Sequence, residues 1–275
     1  MQQFTRTSKL TIPSLGLGTW QLMGEQCVNG VKTALDIGYR HIDTAQIYEN
    51  ESEVGQGIAS SGVEREAIFL TTKIWTSNFR KEDVASSFAT SLKKLKTDYV
   101  DLLLVHWPNP EIDLRETLEA FLKLHKSGKA RHIGVSNFPV ALMRQAIEEM
   151  GFPIACNQVE YHALLNQKAV LDYAHHHDMV VTAYSPLARG ELNTHQVMID
   201  LANKYNKTPS QIALRWLIQQ KNVCAIPKAS SEAHIRANFD IFDFQLTADD
   251  HEFISNLQGN FRTVNPDFAP SWDVT

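Results

Sequence analysis

The sequence predicts an α/β protein built as one (β/α)8 barrel, with residues 1–275 forming a single domain. Three observations predict it. Short apolar runs alternate with helix-period stretches, and eight turns of that alternation can be counted. Several runs, such as Leu102 to Val105, are apolar on both faces, as in a parallel sheet covered by helices. Groups able to handle protons arrive where successive runs end: Asp43, then Lys73, then His106, with Tyr48 five residues after Asp43. A packed strand interior has no use for an ionisable group, because burying an unpaired charge is costly or forces its pKa to move. On a barrel, the C-terminal ends of the strands meet on one face and carry the chemistry. Eight units in about 250 residues favour a closed barrel over an open doubly wound sheet.

The elements follow in order. A short hairpin over 4–12 plugs the N-terminal end. Strands are expected at 15–19, 41–44, 69–74 and 100–107, then at 132–137, 155–161, 180–185 and 225–228. Between them, Leu114, Leu118, Phe121, Leu122 and His125 form one stripe of a helix over 114–126. Thr208-Pro209-Ser210-Gln211 opens another, with a cap, a first-turn proline and a capping-box glutamine. An extra C-terminal helix over 247–257 and a tail over 260–275 with aromatics and prolines complete the chain.

Composition narrows the function. The chain is 43% hydrophobic and 21% charged, which allows a sizeable core. No apolar run is long enough for a bilayer and no signal core precedes residue 10, so a cytoplasmic protein without membrane contact is expected. A formal charge of −5 gives no support to nucleic-acid binding. Cys27, Cys156 and Cys224 are few and far apart, which fits a reducing compartment and no zinc site. His175-His176-His177 reads as a helix end rather than a metal site.

The strand ends read Thr19-Trp20, Asp43, Lys73, His106, Ser136-Asn137, Gln158, Tyr184-Ser185 and Lys228. Asp43, Lys73 and His106 lie on three neighbouring strands about 5 Å apart, and Tyr48 can fold back above them. Such a cluster suits carbonyl reduction. Lys73 lowers the Tyr48 pKa, Asp43 keeps Lys73 protonated, His106 orients the carbonyl and Tyr48 donates the proton.

Gly16-Leu17-Gly18-Thr19-Trp20, Gly38-Tyr39-Arg40-His41-Ile42-Asp43-Thr44-Ala45 and Ile133-Gly134-Val135-Ser136-Asn137-Phe138 resemble stretches of the aldo-keto reductase superfamily. Asn157 to His162, Tyr184-Ser185-Pro186-Leu187 and Ile226-Pro227-Lys228 continue the likeness over almost the whole chain. The resemblance implies a nicotinamide-dependent reductase with Asp43, Tyr48, Lys73 and His106 as catalytic residues. It implies that Ser136, Asn137 and Gln158 bond the nicotinamide amide, that Tyr184 stacks on its ring, and that Gly18, Thr19 and Trp20 also touch the cofactor. Phosphate contacts would come from Ser185, Leu187 and Gly190, then Lys228, Ser230, His234, Arg236 and Asn238.

Two positions depart from the family pattern: His234 replaces an arginine and Ala229 a hydroxyl residue. Lys228 still points to NADP(H), with NAD(H) as the alternative. Trp20, Tyr48, Trp75, His106 and Trp107 would wall the substrate pocket, with Phe268 and Trp272 covering it. The short loop after Trp107 and the ending Ala269-Pro270-Ser271-Trp272-Asp273 resemble bacterial 2,5-diketo-D-gluconate reductases, which implies small aldehydes, 2-oxoaldehydes and keto sugars as substrates. A monomer is expected. Two alternatives compete: a Schiff-base lyase using a strand-end lysine, and a cofactor-bound regulatory or binding subunit of the same fold.

Overall fold

Hydrogen bonding between the first and last barrel strands decides whether eight parallel strands curl shut. In the computed structural model, which describes residues 2–257 and 259–273, they do. The chain opens with the expected hairpin, β1 (Phe4–Arg6) against β2 (Thr11–Pro13). The barrel strands follow: β3 (Leu17–Gly18), β4 (His41–Asp43), β5 (Phe69–Ile74), β6 (Val100–Val105), β7 (Ala130–Ser136), β8 (Ile154–Glu160), β9 (Val180–Tyr184) and β10 (Val223–Ala225). They pair in chain order as one parallel sheet, and parallel bridges from Leu15 to Ala225 and from Gly18 to Lys228 close it.

Alternation along the strands separates two cores. Leu102 and Leu104 of β6 point into the barrel, where Cys156, Val180 and Cys224 meet Leu10 and Ile12 of the hairpin. The Thr5 hydroxyl donates to the Val223 carbonyl at 2.9 Å, so the hairpin sits under the N-terminal strand ends. Leu103 and Val105 face the helical layer. That layer consists of α1 (Gly24–Ile37), α2 (Glu51–Ser60), α3 (Lys81–Leu95), α4 (Leu114–Lys126), α5 (Val140–Arg144), α6 (Lys168–His176), α7 (Gln196–Tyr205), α8 (Pro209–Gln219), α9 (Glu232–Phe239) and α10 (Ala248–Ser255). Thr208 and Gln211 form the anticipated capping box on α8. Where strands pinch together only glycine fits: a Cβ at Gly134 would stand 2.6 Å from the Cys156 carbonyl oxygen.

Three differences from the sequence reading have physical causes. The last strand was expected over 225–228 but its ladder runs from Val223 to Ala225; Pro227, which has no N–H to donate, stands just beyond it. The fourth strand stops at Val105, short of His106 and Trp107, which belong to the loop. The helix α7 was not anticipated; it buries Met198, Leu201 and Ala202 but starts without a side-chain cap that would mark it in the sequence. Residues 274 and 275, the end of the predicted tail, lie outside the described residues. Among the described residues, no helix is long and apolar enough to cross a membrane.

Candidate active site

Strand alternation aims Asp43 and Lys73 into the barrel mouth while Thr72 turns outward to bond Glu51 of α2. Lys73 is fully buried. Its Nζ donates to Asp43 Oδ1 at 2.5 Å, to the Thr44 carbonyl at 2.9 Å and to the Tyr48 hydroxyl at 3.2 Å. A one-turn helix, Gln46–Tyr48, folds Tyr48 back over the strand ends. His106 follows β6 and meets the Tyr48 ring edge-on at 5.6 Å between centroids. The four expected residues therefore converge.

The turn carrying Tyr48 is braced on both sides. Gln46 Oε1 accepts from the Trp75 N–H at 3.0 Å, tying the turn to the loop after β5. Asn50 Oδ1 accepts from the Thr44 hydroxyl, and its Nδ2 donates to the Thr19 and Leu22 carbonyls, each at 2.8 Å. Neither residue was singled out in the sequence. An amide two positions from a candidate acid on each side is weak as a motif.

Burial dominates the electrostatics. It pushes the Lys73 pKa down, but the Asp43 carboxylate and Tyr48 more than offset this, so Lys73 stays an ammonium. Burial raises the Asp43 carboxyl, opposed by Lys73 and by Gln158. For Tyr48 the sequence reading is corrected. Lys73 does lower its pKa, but burial outweighs it and Asp43 adds to the rise, so the net shift is upward. Tyr48 is thus a phenol with a cation ready to stabilise its anion. Burial, reinforced by the Lys73 charge, holds the His106 pKa well below the usual histidine range. His106 is neutral at pH 7. A lysine that is buried, charged and already donating three hydrogen bonds is a poor amine nucleophile, which removes the basis for a Schiff-base lyase.

The other strand ends extend the site. Gln158 Nε2 donates to Asp43 Oδ2 at 2.7 Å, while its Oε1 takes no hydrogen bond from a described residue. Asn137 Nδ2 donates to the His106 carbonyl and to Ser136 Oγ, and its Oδ1 accepts from the Tyr184 hydroxyl at 2.8 Å. The Ser136 hydroxyl donates to the Gln158 carbonyl. These contacts fix the Tyr184 ring at the wall of a cavity of about 830 Å³. Gly18, Thr19, Trp20, Trp75, Trp107, Ser185, Leu187 and Lys228 share that wall with the residues above.

Ser230, His234, Arg236 and Asn238 do not reach it. Ser230, His234 and Arg236 are exposed around the start of α9 and along it, Arg236 pairing with Glu232 at 2.9 Å, and Asn238 is buried. Conversely, the wall includes Gln21, Ile47, Arg189, Asn193 and tail residues Thr263 to Pro266 that the sequence reading had not named. Arg189 directly precedes Gly190, which was singled out, so its cation was within sight. The tail residues carry no such signal. Phe268 lies edge-on to Trp75 and Trp107, at 5.9 and 5.5 Å, and Trp272 packs on Trp107 at 6.0 Å.

With that geometry in place, comparison with known proteins is decisive. The Aldo/keto reductase family model matches residues 14–258. The chain belongs to the aldo/keto reductase family. Methylglyoxal reductase DkgB of Salmonella typhi is 42% identical, covering 96% of this chain and all of that one. The uncharacterized oxidoreductase YtbE of Bacillus subtilis is also 42% identical, over 93% of this chain and 92% of its own. A crystal structure provisionally described as 2,5-diketo-D-gluconic acid reductase B superposes with a TM-score of 0.97 at 42% identity, covering 100% of this chain and 98% of that one. The aldo/keto reductase of Brucella melitensis superposes at 0.89 with 44% identity, over 94% of this chain and 100% of that one. As a member of this family the protein is an oxidoreductase acting on carbonyl groups with a nicotinamide cofactor. A purely regulatory role for the fold is set aside.

The residues present fit such a cofactor. Tyr184 offers a flat ring face, Gln158 Oε1 an unused acceptor for an amide N–H, and Lys228 and Arg189 two exposed cations on the same cavity.

Proposed function

We propose that this protein is an NADPH-preferring reductase of small aldehydes and 2-oxoaldehydes, methylglyoxal among them, with keto sugars such as 2,5-diketo-D-gluconate as further substrates. One observation carries the reading: a Tyr48 hydroxyl 3.2 Å from the buried Lys73 ammonium, which Asp43 holds at 2.5 Å, beside a neutral His106. The similarity to methylglyoxal reductase DkgB supports the substrate class.

Bound nicotinamide supplies the hydride. Ser136, Asn137 and Gln158 would hold its amide, Tyr184 would cover one ring face, and Gly18, Thr19 and Trp20 would border it. Ser185, Leu187, Lys228 and Arg189 would hold the phosphates. The remaining expected phosphate contacts, Ser230, His234, Arg236 and Asn238, lie off the cavity wall, between Lys228 and the end of α9. Lys228 offers the 2′-phosphate a full charge, the reason NADPH is preferred to NADH.

His106, a neutral imidazole, donates one N–H toward the substrate carbonyl oxygen and fixes its direction. Tyr48 gives its hydroxyl proton to that oxygen. The phenolate left behind lies next to the Lys73 ammonium, whose field stabilises it in a site of low polarity. Asp43 keeps Lys73 charged and stationary. Trp20, Trp75, Trp107 and Phe268 exclude water from the reacting oxygen. We take the protein to act as a cytoplasmic monomer. Loss of NADPH absorbance with methylglyoxal or a nitrobenzaldehyde, repeated with NADH, tests the reading; no turnover with any aldehyde refutes it.

A further inference from the structure

Glu160 is a buried carboxylate that the proposed reaction leaves unused. It ends β8, two residues after Gln158 and therefore on the same face, and pairs in register with Tyr184. It is fully buried and accepts four hydrogen bonds. Oε1 takes the Thr263 N–H at 2.7 Å, the Thr263 hydroxyl at 2.6 Å and His162 Nε2 at 3.1 Å. Oε2 takes the Val264 N–H at 3.0 Å, and Arg262 Nη1 stands 3.9 Å away. The His162 tautomer agrees, since its Nδ1 accepts from the Leu164 N–H and leaves the proton on Nε2. These donors hold the Glu160 pKa below the usual carboxylate range even though burial pushes it up.

Three of the four donors belong to the tail, which has no helix or strand of its own beyond α10 among the described residues. Charge-assisted bonds to an anion removed from water are strong, and unmaking them strands a buried charge. The tail then continues as cavity wall through Thr263, Val264, Asn265, Pro266 and Phe268. Its far end is tied back to the same point. The Arg262 guanidinium lies 3.8 Å from the Trp272 ring centre, and Trp272 Nε1 donates to Asn265 Oδ1 at 2.8 Å. Glu160 itself does not line the cavity.

We propose that Glu160 is a specificity-determining positioning residue: its carboxylate pins the tail at Thr263 and Val264 and so fixes the size of the substrate cavity. The proposal rests on the reductase reading above. The decisive experiment compares the full-length wild type with Glu160→Gln, which keeps the shape but offers one acceptor and a donor amine to donors that need two acceptors. Amide hydrogen exchange at Thr263 and Val264 is expected to quicken about tenfold, the scale of one hydrogen bond to a charged group. The KM for methylglyoxal is expected to rise about tenfold with kcat within about twofold, the signature of lost uniform binding. The NADPH dissociation constant should not change.

Thr263→Val removes only the hydroxyl bond from the partly exposed tail, so it serves if Glu160→Gln does not fold; the same shifts, smaller, are expected. Unchanged exchange in the folded variants overturns the pin, and faster exchange with unchanged KM overturns its link to specificity. A wild type inert to NADPH and every aldehyde refutes the reductase reading instead, and exchange still reports on the pin.

Discussion

Replacing Lys73 with Met tests the proton donor most directly. The ammonium stands 3.2 Å from the Tyr48 oxygen. With an effective dielectric of about 20, a full phenolate at that distance gains about 5 kcal/mol from the cation. If about half the negative charge has developed in the transition state, the loss is about 2–3 kcal/mol, or about 10²-fold in turnover. The Tyr48 pKa, already raised by burial, rises further when the opposing cation goes. The alkaline limb, where activity falls as the acid deprotonates, therefore moves to higher pH. The substitution also leaves Asp43 as an unpaired buried carboxylate, costing about 3–5 kcal/mol of stability. The pair Asp43→Asn/Lys73→Met removes that second effect. The assay is kcat against pH with saturating NADPH, with cofactor affinity measured separately by tryptophan quenching. Turnover restored by the double variant, or a Lys73→Met defect confined to NADPH affinity, would refute the proton-donor reasoning.

Tyr48→Phe should lower turnover by about 10²–10⁴-fold, the span of general acid catalysis, with NADPH binding nearly intact; equilibrium titration and steady-state rates separate the two. Lys228→Ala should weaken NADPH far more than NADH, and Arg189→Ala should weaken both; equal losses in Lys228→Ala would show that it does not read the 2′-phosphate. His41 is buried in the barrel with its pKa held down to about 3 by burial and by the Lys73 charge. The unfolded chain binds a proton there near pH 6.5 and the folded one does not, so stability falls with acidification between those limits by about 1.4 kcal/mol per pH unit. Urea unfolding from pH 7 to pH 4.5 should show a steeper slope than that, since His106 adds its own share, and His41→Gln should lower it by about 1.4 kcal/mol per pH unit; a slope unchanged by His41→Gln sinks the assignment.

The sequence alone determined the barrel, because eight alternations of apolar run and amphipathic stretch admit few other closures. It also determined the convergence of Asp43, Lys73 and His106, because strand ends in a parallel barrel must share a face. Tyr48 was legible for a related reason: its turn is too short to carry it elsewhere. Tertiary structure decided the rest. The balance that leaves Tyr48 with a raised rather than lowered pKa is set by how completely the cluster is buried, a quantity no spacing encodes. The unassigned helix α7 forms because Met198 and Leu201 join the main hydrophobic core, with α8 as the helix's chief packing partner. The tail becomes a wall of the cavity because Glu160, about a hundred residues earlier in the chain, binds its backbone N–H groups. Two backbone amides and one threonine hydroxyl leave no motif in the sequence that points to a carboxylate, and only the fold brings the two together.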